Sequence, residues 1–250
     1  LGDYEITLNR EDYVMQRRTF VKLCAGTAAV LAADPGRLLA QASEMKPYQR
    51  VKLVNGSGEA LSLKKLDKAV SYIFSYPYKG TPCVLLNLGK AQQGGTELKT
   101  SQGQSYTWPG GVGPDQSVVA YVSICTHQLA YPNKSQSFMN FQKEKGAVSG
   151  KAGMITCCLH NSVFDPSAGG KVTMGGALQP LPTIKLDYDP KEDAVYATGV
   201  LGGGELFENF FTAFKKELRQ EFGRGGAEEE VSGSATVVPL SDYTAQQITC

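Results

Sequence analysis

The 250 residues contain two histidines, His127 and His160, and each stands beside a cysteine. The first belongs to Cys125-Thr126-His127 and the second to Cys157-Cys158-Leu159-His160. Residues kept only for packing would rarely fall into such pairs. Two thiolates and two imidazoles from two loops can converge on one metal centre, and four N/S ligands suit either tetrahedral Zn²⁺ or an iron–sulfur cluster. Ligand identity leaves both open, and spacing separates them better. Zinc fingers usually pair Cys with Cys and His with His along one element, whereas here each loop offers one of each. The alternative without a metal is two buried cysteines and two hydrogen-bonded histidines.

The other cysteines are Cys24, Cys83 and Cys250, too few and too scattered for a disulfide scaffold in a chain of this length. Cys83 opens an apolar run and reads as a buried small hydrophobe. Cys250 reads as a free terminal thiol or an interchain disulfide, with a thioester, haem or lipid attachment as further options.

Loops that hold a metal need rigid elements on either side. Apolar residues make up 42% of the chain, ample for a core, and Gly 28 plus Pro 12 favour a loop-heavy, β-rich fold. Short apolar segments alternate with turn residues: VKLV at 51–54, PCVLLNLG at 82–89, SVVAYVSI at 117–124, GMITC at 153–157 and TIKLDY at 183–188. They predict antiparallel strands. LDKAVSYIFSY at 66–76 fits a short helix or another strand equally well. After Gly202-Gly203-Gly204, the residues Leu206, Phe207, Phe210, Phe211, Phe214, Leu218 and Phe222 recur at three- and four-residue spacing. This predicts one amphipathic helix over 205–222 within a C-terminal extension, 202–250. With 25 basic and 24 acidic residues, nothing in the charge favours nucleic acid as a partner. No nucleotide fingerprint, P-loop or nucleophile elbow is present.

Near the start, QRRTFVK at 16–22 precedes LCAGTAAVLAA, and the apolar stretch is shorter than the ~18–20 residues that span a bilayer comfortably. Adjacent arginines, a modest apolar region and Ala40-Gln41-Ala42 resemble a twin-arginine export signal over 1–42 with cleavage after Ala42. A surface amphipathic helix is the alternative. If retained, the segment could serve as a membrane anchor.

The residues around the two Cys/His pairs are similar to those of Rieske [2Fe–2S] proteins. ICTHQLAYP resembles the first Rieske loop, CCLHNSVFDPSAGGKV the second, and GGALQPLP at 175–182 the Gly/Pro loop that covers the cluster. Upstream, PCVLLNLGK at 82–90 and GGVGPDQSVVAYVSICTH at 110–127 are similar to the small Rieske subunit of arsenite oxidase. The resemblance implies an all-β Rieske domain over 47–201, with an inserted cluster-binding part at about 119–182. It implies Cys125 and Cys157 on the inner iron, His127 and His160 on the outer one, and Ser162 hydrogen-bonded to a bridging sulfur. The implied role is one-electron transfer in an exported molybdenum oxidoreductase, beside a large molybdopterin-containing subunit and a c-type cytochrome or other small carrier. A quinol-oxidising subunit of a cytochrome bc-type complex is the runner-up, and a zinc-stabilised binding module the third option.

The pattern departs from the family in three places. The disulfide that joins the two loops in high-potential Rieske proteins has no counterpart, because Ala130 and Leu159 hold its positions. Cys158 stands where proline is common and has no evident partner in the loops. Phe164 replaces a tyrosine that often donates to a ligand sulfur, and the segment 131–153 lengthens the connection between the loops. Freer loops and a lost donor predict a potential in the lower or middle part of the ~−150 to +300 mV Rieske range. The phenylalanine-rich stripe exceeds what a finished domain needs, so the helix is expected to be buried by a partner subunit, with packing back on its own domain as the alternative.

Overall fold

The computed structural model describes residues 45–250 apart from Ala69. The signal-like segment over 1–42 lies outside them. The strands are β1 (Met45–Val54), β2 (Ser71–Ser75), β3 (Pro82–Asn87), β4 (Gln93–Lys99), β5 (Ser105–Gly110), β6 (Val118–Val122) and β7 (Met139–Gln142). They continue as β8 (Met154–Cys157), β9 (Ser162–Asp165), β10 (Lys171–Met174), β11 (Thr183–Asp189), β12 (Ala194–Leu201), β13 (Ser234–Thr236) and β14 (Val238–Pro239). The fold is all-β, as the alternating segments predict. The ambiguous run at 66–76 resolves as β2, where aromatic and β-branched residues suit a pleated surface better than a short helix.

Eight strands form the main sheet in the order β13-β1-β12-β11-β6-β3-β2-β14. A second sheet, β10-β9-β8-β7, carries the cluster-loop residues, and β4-β5 form a hairpin. Both faces of the main sheet are covered, so its central strands read as continuous apolar runs. Along β3, Cys83 and Leu85 enter one core while Val84 and Leu86 enter the other. In β6, Val118, Ala120 and Val122 face the first core, and Val119 and Tyr121 the second. The second core also holds Trp108, Phe164, Cys125 and Cys157, which fuses the metal-site residues to the sheet. Cys83 is fully buried, as a small hydrophobe should be.

The C-terminal stretch differs from the expectation in two ways. The predicted single helix is two, Leu206–Ala213 and Lys215–Phe222, which meet at Phe214 with φ −107° and ψ 22°. Phe210 O still accepts from Phe214 N–H at 3.0 Å, so the break is a kink rather than an interruption of hydrogen bonding. Nor does the apolar stripe await a partner: Leu206, Phe207, Phe210 and Leu218 are buried in this chain's own first core. Tyr131, just past the first Cys/His loop, meets the Phe210 and Phe214 rings edge-on at 4.9 Å each.

The segment 234–239 closes the architecture. Ser234–Thr236 pairs in parallel with β1, and Val238–Pro239 pairs with β2 at the opposite edge of the same sheet. Only Val237 separates them, and its N–H donates to Val54 O at 2.8 Å. One short segment therefore joins both edges of a nearly closed sheet and leaves neither free for unwanted pairing. Among the described residues, no helix is long and apolar enough to cross a membrane.

Candidate metal centre

Cys125 follows the C-terminal end of β6 in a tight loop. Its N–H donates to Ala130 O and its carbonyl accepts from Leu129 N–H, both at 2.8 Å. Closing so small a loop puts Leu129 at φ +61°, a left-handed conformation that side chains other than glycine seldom adopt. The second loop is the β8–β9 connection. Cys157 pairs with Ser162 across it, and Asn161 turns the chain at φ +57°. Asparagine tolerates that region better than most residues, because its short polar side chain can hydrogen-bond locally.

These turns converge four backbone N–H groups on two sulfurs. His127 and Gln128 donate to Cys125, and Leu159 and His160 donate to Cys157. The two thiols are buried and hydrogen-bonded to each other. Cys125 is lowered to about 6, first because the Cys157 thiol donates to it, with the backbone donors adding and burial opposing. Cys157 is pushed up, as the donor of that bond and by burial. Of the two sulfurs, Cys125 is the one the surroundings favour as a thiolate, the form that ligates metal. The Ser162 hydroxyl is fully buried without a full hydrogen-bond partner, yet lies close enough to Cys125 to favour its thiolate.

On the other side, the His127 and His160 rings stand nearly perpendicular, with centroids 5.2 Å apart. Both Nδ1 atoms are buried and have no hydrogen-bond partner. Buried polar nitrogens left unpaired are costly unless something binds them. A pair of thiols and a pair of unpartnered imidazole nitrogens match the donor set of a two-iron cluster held by Cys₂ and His₂. Among the described residues, no three Cys, His, Asp or Glu side chains converge on a single-metal position.

The 175–182 segment covers the histidine side. Thr126 Oγ1 donates to Gln179 O at 2.7 Å, and Leu181 N–H to Gly170 O at 3.0 Å. Gly176 lies against the His127 ring, where a Cβ would sit 2.7 Å from Nε2. Gly169, in the Gly-Gly pair of the second motif, packs beneath Trp108 and Leu98. It has φ +74°, and a Cβ there would come within 2.8 Å of both side chains. Gly176→Ala should therefore tilt His127 and weaken cluster retention about tenfold, the scale of outer contacts to metal ligands. Iron release to a chelator is the measurement, and a wild-type release rate would contradict it.

All five residues predicted from the sequence, Cys125, His127, Cys157, His160 and Ser162, come together here. Phe164 is fully buried behind the thiols and has no hydroxyl to offer. Ala130 and Leu159 have no thiol, and the disulfide among the described residues joins Cys158 to Cys250, so the two loops carry no direct cross-link. The expectation for Cys250 is corrected: it forms an intrachain disulfide with Cys158, whose partner thus lies outside the loops, with Cα atoms 5.6 Å apart across 92 residues of sequence. Sequence reasoning also missed the Thr126 hydroxyl that ties the first loop to the cover, which no motif marks.

Residues 89–185 match the family model described as the Rieske [2Fe-2S] domain. Together with the relatives that follow, this shows that the chain belongs to the Rieske [2Fe–2S] family, whose cluster Cys125, Cys157, His127 and His160 would hold. The chain is 31% identical over 194 residues to the iodate reductase subunit IdrB of Denitromonas iodatirespirans, covering 75% of this chain and 82% of that one. It is 30% identical over 192 residues to the IdrB subunit of Pseudomonas sp. (strain SCT), covering 75% and 80%. Among solved structures it is similar to the soluble domain of Rieske protein II (soxF) from Sulfolobus acidocaldarius. That match has 28% identity, a TM-score of 0.43, and covers 61% of this chain and 78% of that one.

When bound, the cluster supplies one-electron transfer without making a bond to substrate. The protein's part is to fix the four ligands, point backbone N–H groups at the sulfurs and exclude water from the thiol side. Ser162 would have a graded influence, since a hydrogen bond to sulfur favours the electron-rich reduced state. Ser162→Ala should lower the midpoint potential by on the order of 60 mV, the one-electron equivalent of one charge-assisted hydrogen bond. A potentiometric titration giving an unchanged or higher value would reject this role.

Proposed function

We propose that the chain is the small electron-transfer subunit of an exported molybdenum oxidoreductase that acts on an oxyanion, of the kind to which iodate reductase and arsenite oxidase belong. The observation that carries the reading is an apolar collar around the histidine side. The exposed large hydrophobic residues among those described are Leu159, Met174 and Leu178, at 46%, 49% and 81% exposure. Leu159 adjoins His160, and Met174 and Leu178 flank the Gly175-Gly176 turn that lies on His127. Exposed apolar side chains gathered at one functional end mark a surface for another protein. Half-buried histidines inside such a collar bring the outer iron near a docked electron donor or acceptor.

The substrate chemistry then belongs to a large molybdopterin-containing subunit, and a c-type cytochrome or similar carrier completes the path. The Cys158–Cys250 disulfide supports an oxidising compartment such as the periplasm. A twin-arginine signal over 1–42, kept or cleaved, accords with a protein exported after it has received its cluster, and a retained segment would add membrane association.

Affinity purification of the full chain from its native cells tests the proposal. The expected result is stoichiometric recovery of a large molybdenum-containing subunit, with iodate reduction or arsenite oxidation in the purified complex. Recovery with a b-type cytochrome and quinol oxidation would overturn it in favour of the bc-type assembly.

A further inference from the structure

Cys158 lies between two of the cluster's ligands, one residue after Cys157 and two before His160. Its disulfide partner is held by a tail that is already well anchored without it. Ser137 N–H donates to Gln246 O at 2.8 Å, and Ile248 N–H donates to Ser137 O at 2.9 Å. The Asn140 side-chain amide donates to Ile248 O at 2.6 Å and that of Gln142 to Cys250 O at 2.9 Å. The tail thus forms one parallel bridge, Ser137 to Gln247, just ahead of β7, while β7 itself pairs Met139 with Cys157. Backbone and side-chain hydrogen bonds fix the tail; the disulfide does something further, which is to fasten the ligand loop to it.

We propose that Cys250 and Cys158 are positioning residues for the iron centre, and that the tail acts as an outer clamp on the loop that presents Cys157 and His160. The first loop is held from elsewhere, through Thr126 to the cover and Tyr131 to the helices. The second loop, a short turn between two strands, projects Leu159 into solvent and has no covalent tie to the first. Its one cross-link runs outward to residue 250, through the main chain of the residue next to a ligand sulfur. A shift of the tail is therefore transmitted to Cys157 and His160 within two residues. The inference does not depend on which oxidoreductase the chain serves.

The test uses the full-length holoprotein and Cys250→Ala, a change 90 positions from His160 that leaves every residue of the loop intact. It should shift the rhombic EPR g values, lower the midpoint potential and speed iron release to a chelator about tenfold. Cys158→Ala should reproduce all three effects, as should the double variant. A Cys250→Ala protein with wild-type g values, potential and release rate would overturn the proposal, even if its melting temperature fell.

Should the variants fail to accumulate with a cluster, wild-type holoprotein is treated with a water-soluble phosphine. One phosphine and one water convert the disulfide to two thiols and a phosphine oxide, and alkylation of the thiols measures the extent. Iron release that rises with the extent of cleavage supports the clamp. Cleaved protein that keeps the wild-type release rate and spectrum overturns it.

Discussion

Alanine at His127 or at His160 is expected to abolish the Rieske-type EPR signal and the bound iron and sulfide, while the β domain still folds. Each ring contributes a buried Nδ1 with no partner in the protein, and the two ring centroids stand 5.2 Å apart. Removing either would take away one of the two nitrogens that would hold the cluster, and removing His127 would also open the space beneath Gly176 to water. The sheet, in contrast, owes little to these half-buried side chains, since its cores are built from β3, β6 and their neighbours. Circular dichroism should match wild type, with iron and labile sulfide at background. A variant that retains a rhombic spectrum would mean that the ligand set is wrong.

The second large effect is expected from truncation after Leu201. If residues 202–250 were only a handle for a partner, the shortened chain would keep its cluster and merely fail to assemble. The structure predicts instead that it will not fold. Leu206, Phe207, Phe210, Leu218 and Leu240 are buried side chains worth about 1.5–3 kcal/mol each. Together they rival the ~5–15 kcal/mol net stability of a whole domain. The same cut removes β13 and β14 and so exposes both edges of the main sheet. Insoluble or molten protein is the predicted outcome of expressing residues 45–201. A soluble fragment with a cooperative unfolding transition and an intact cluster would refute it.

Much of the metal site was readable because its chemistry is local. Cys125 and His127 are two residues apart, Cys157 and His160 three, and the glycines around them answer to backbone constraints that show in sequence. The strands were readable from apolar runs bounded by turn residues. What escaped notice depends on distant parts of the chain. Nothing near Cys158 points to Cys250, and six cysteines allow many pairings. β13 and β14 have three and two residues, too few for any alternation to show. The phenylalanine stripe was visible, but not where it would be buried, because that depends on an open face of the sheet that only the assembled fold reveals. The kink at Phe214 carries no glycine or proline to announce it.

The clamp on the second loop also imposes an order in time. All four ligands have been synthesised once the ribosome passes His160, whereas Cys250 follows Cys158 by 92 residues. At ~5–20 residues per second this is an interval of roughly 5–20 s. During it the second loop exists without its lock, and the segment that joins the sheet edges is only just arriving. Disulfide formation then waits for an oxidising environment. The disulfide beside the candidate iron ligands is therefore among the last parts of the structure to form, after the segment that joins the sheet edges has completed the fold.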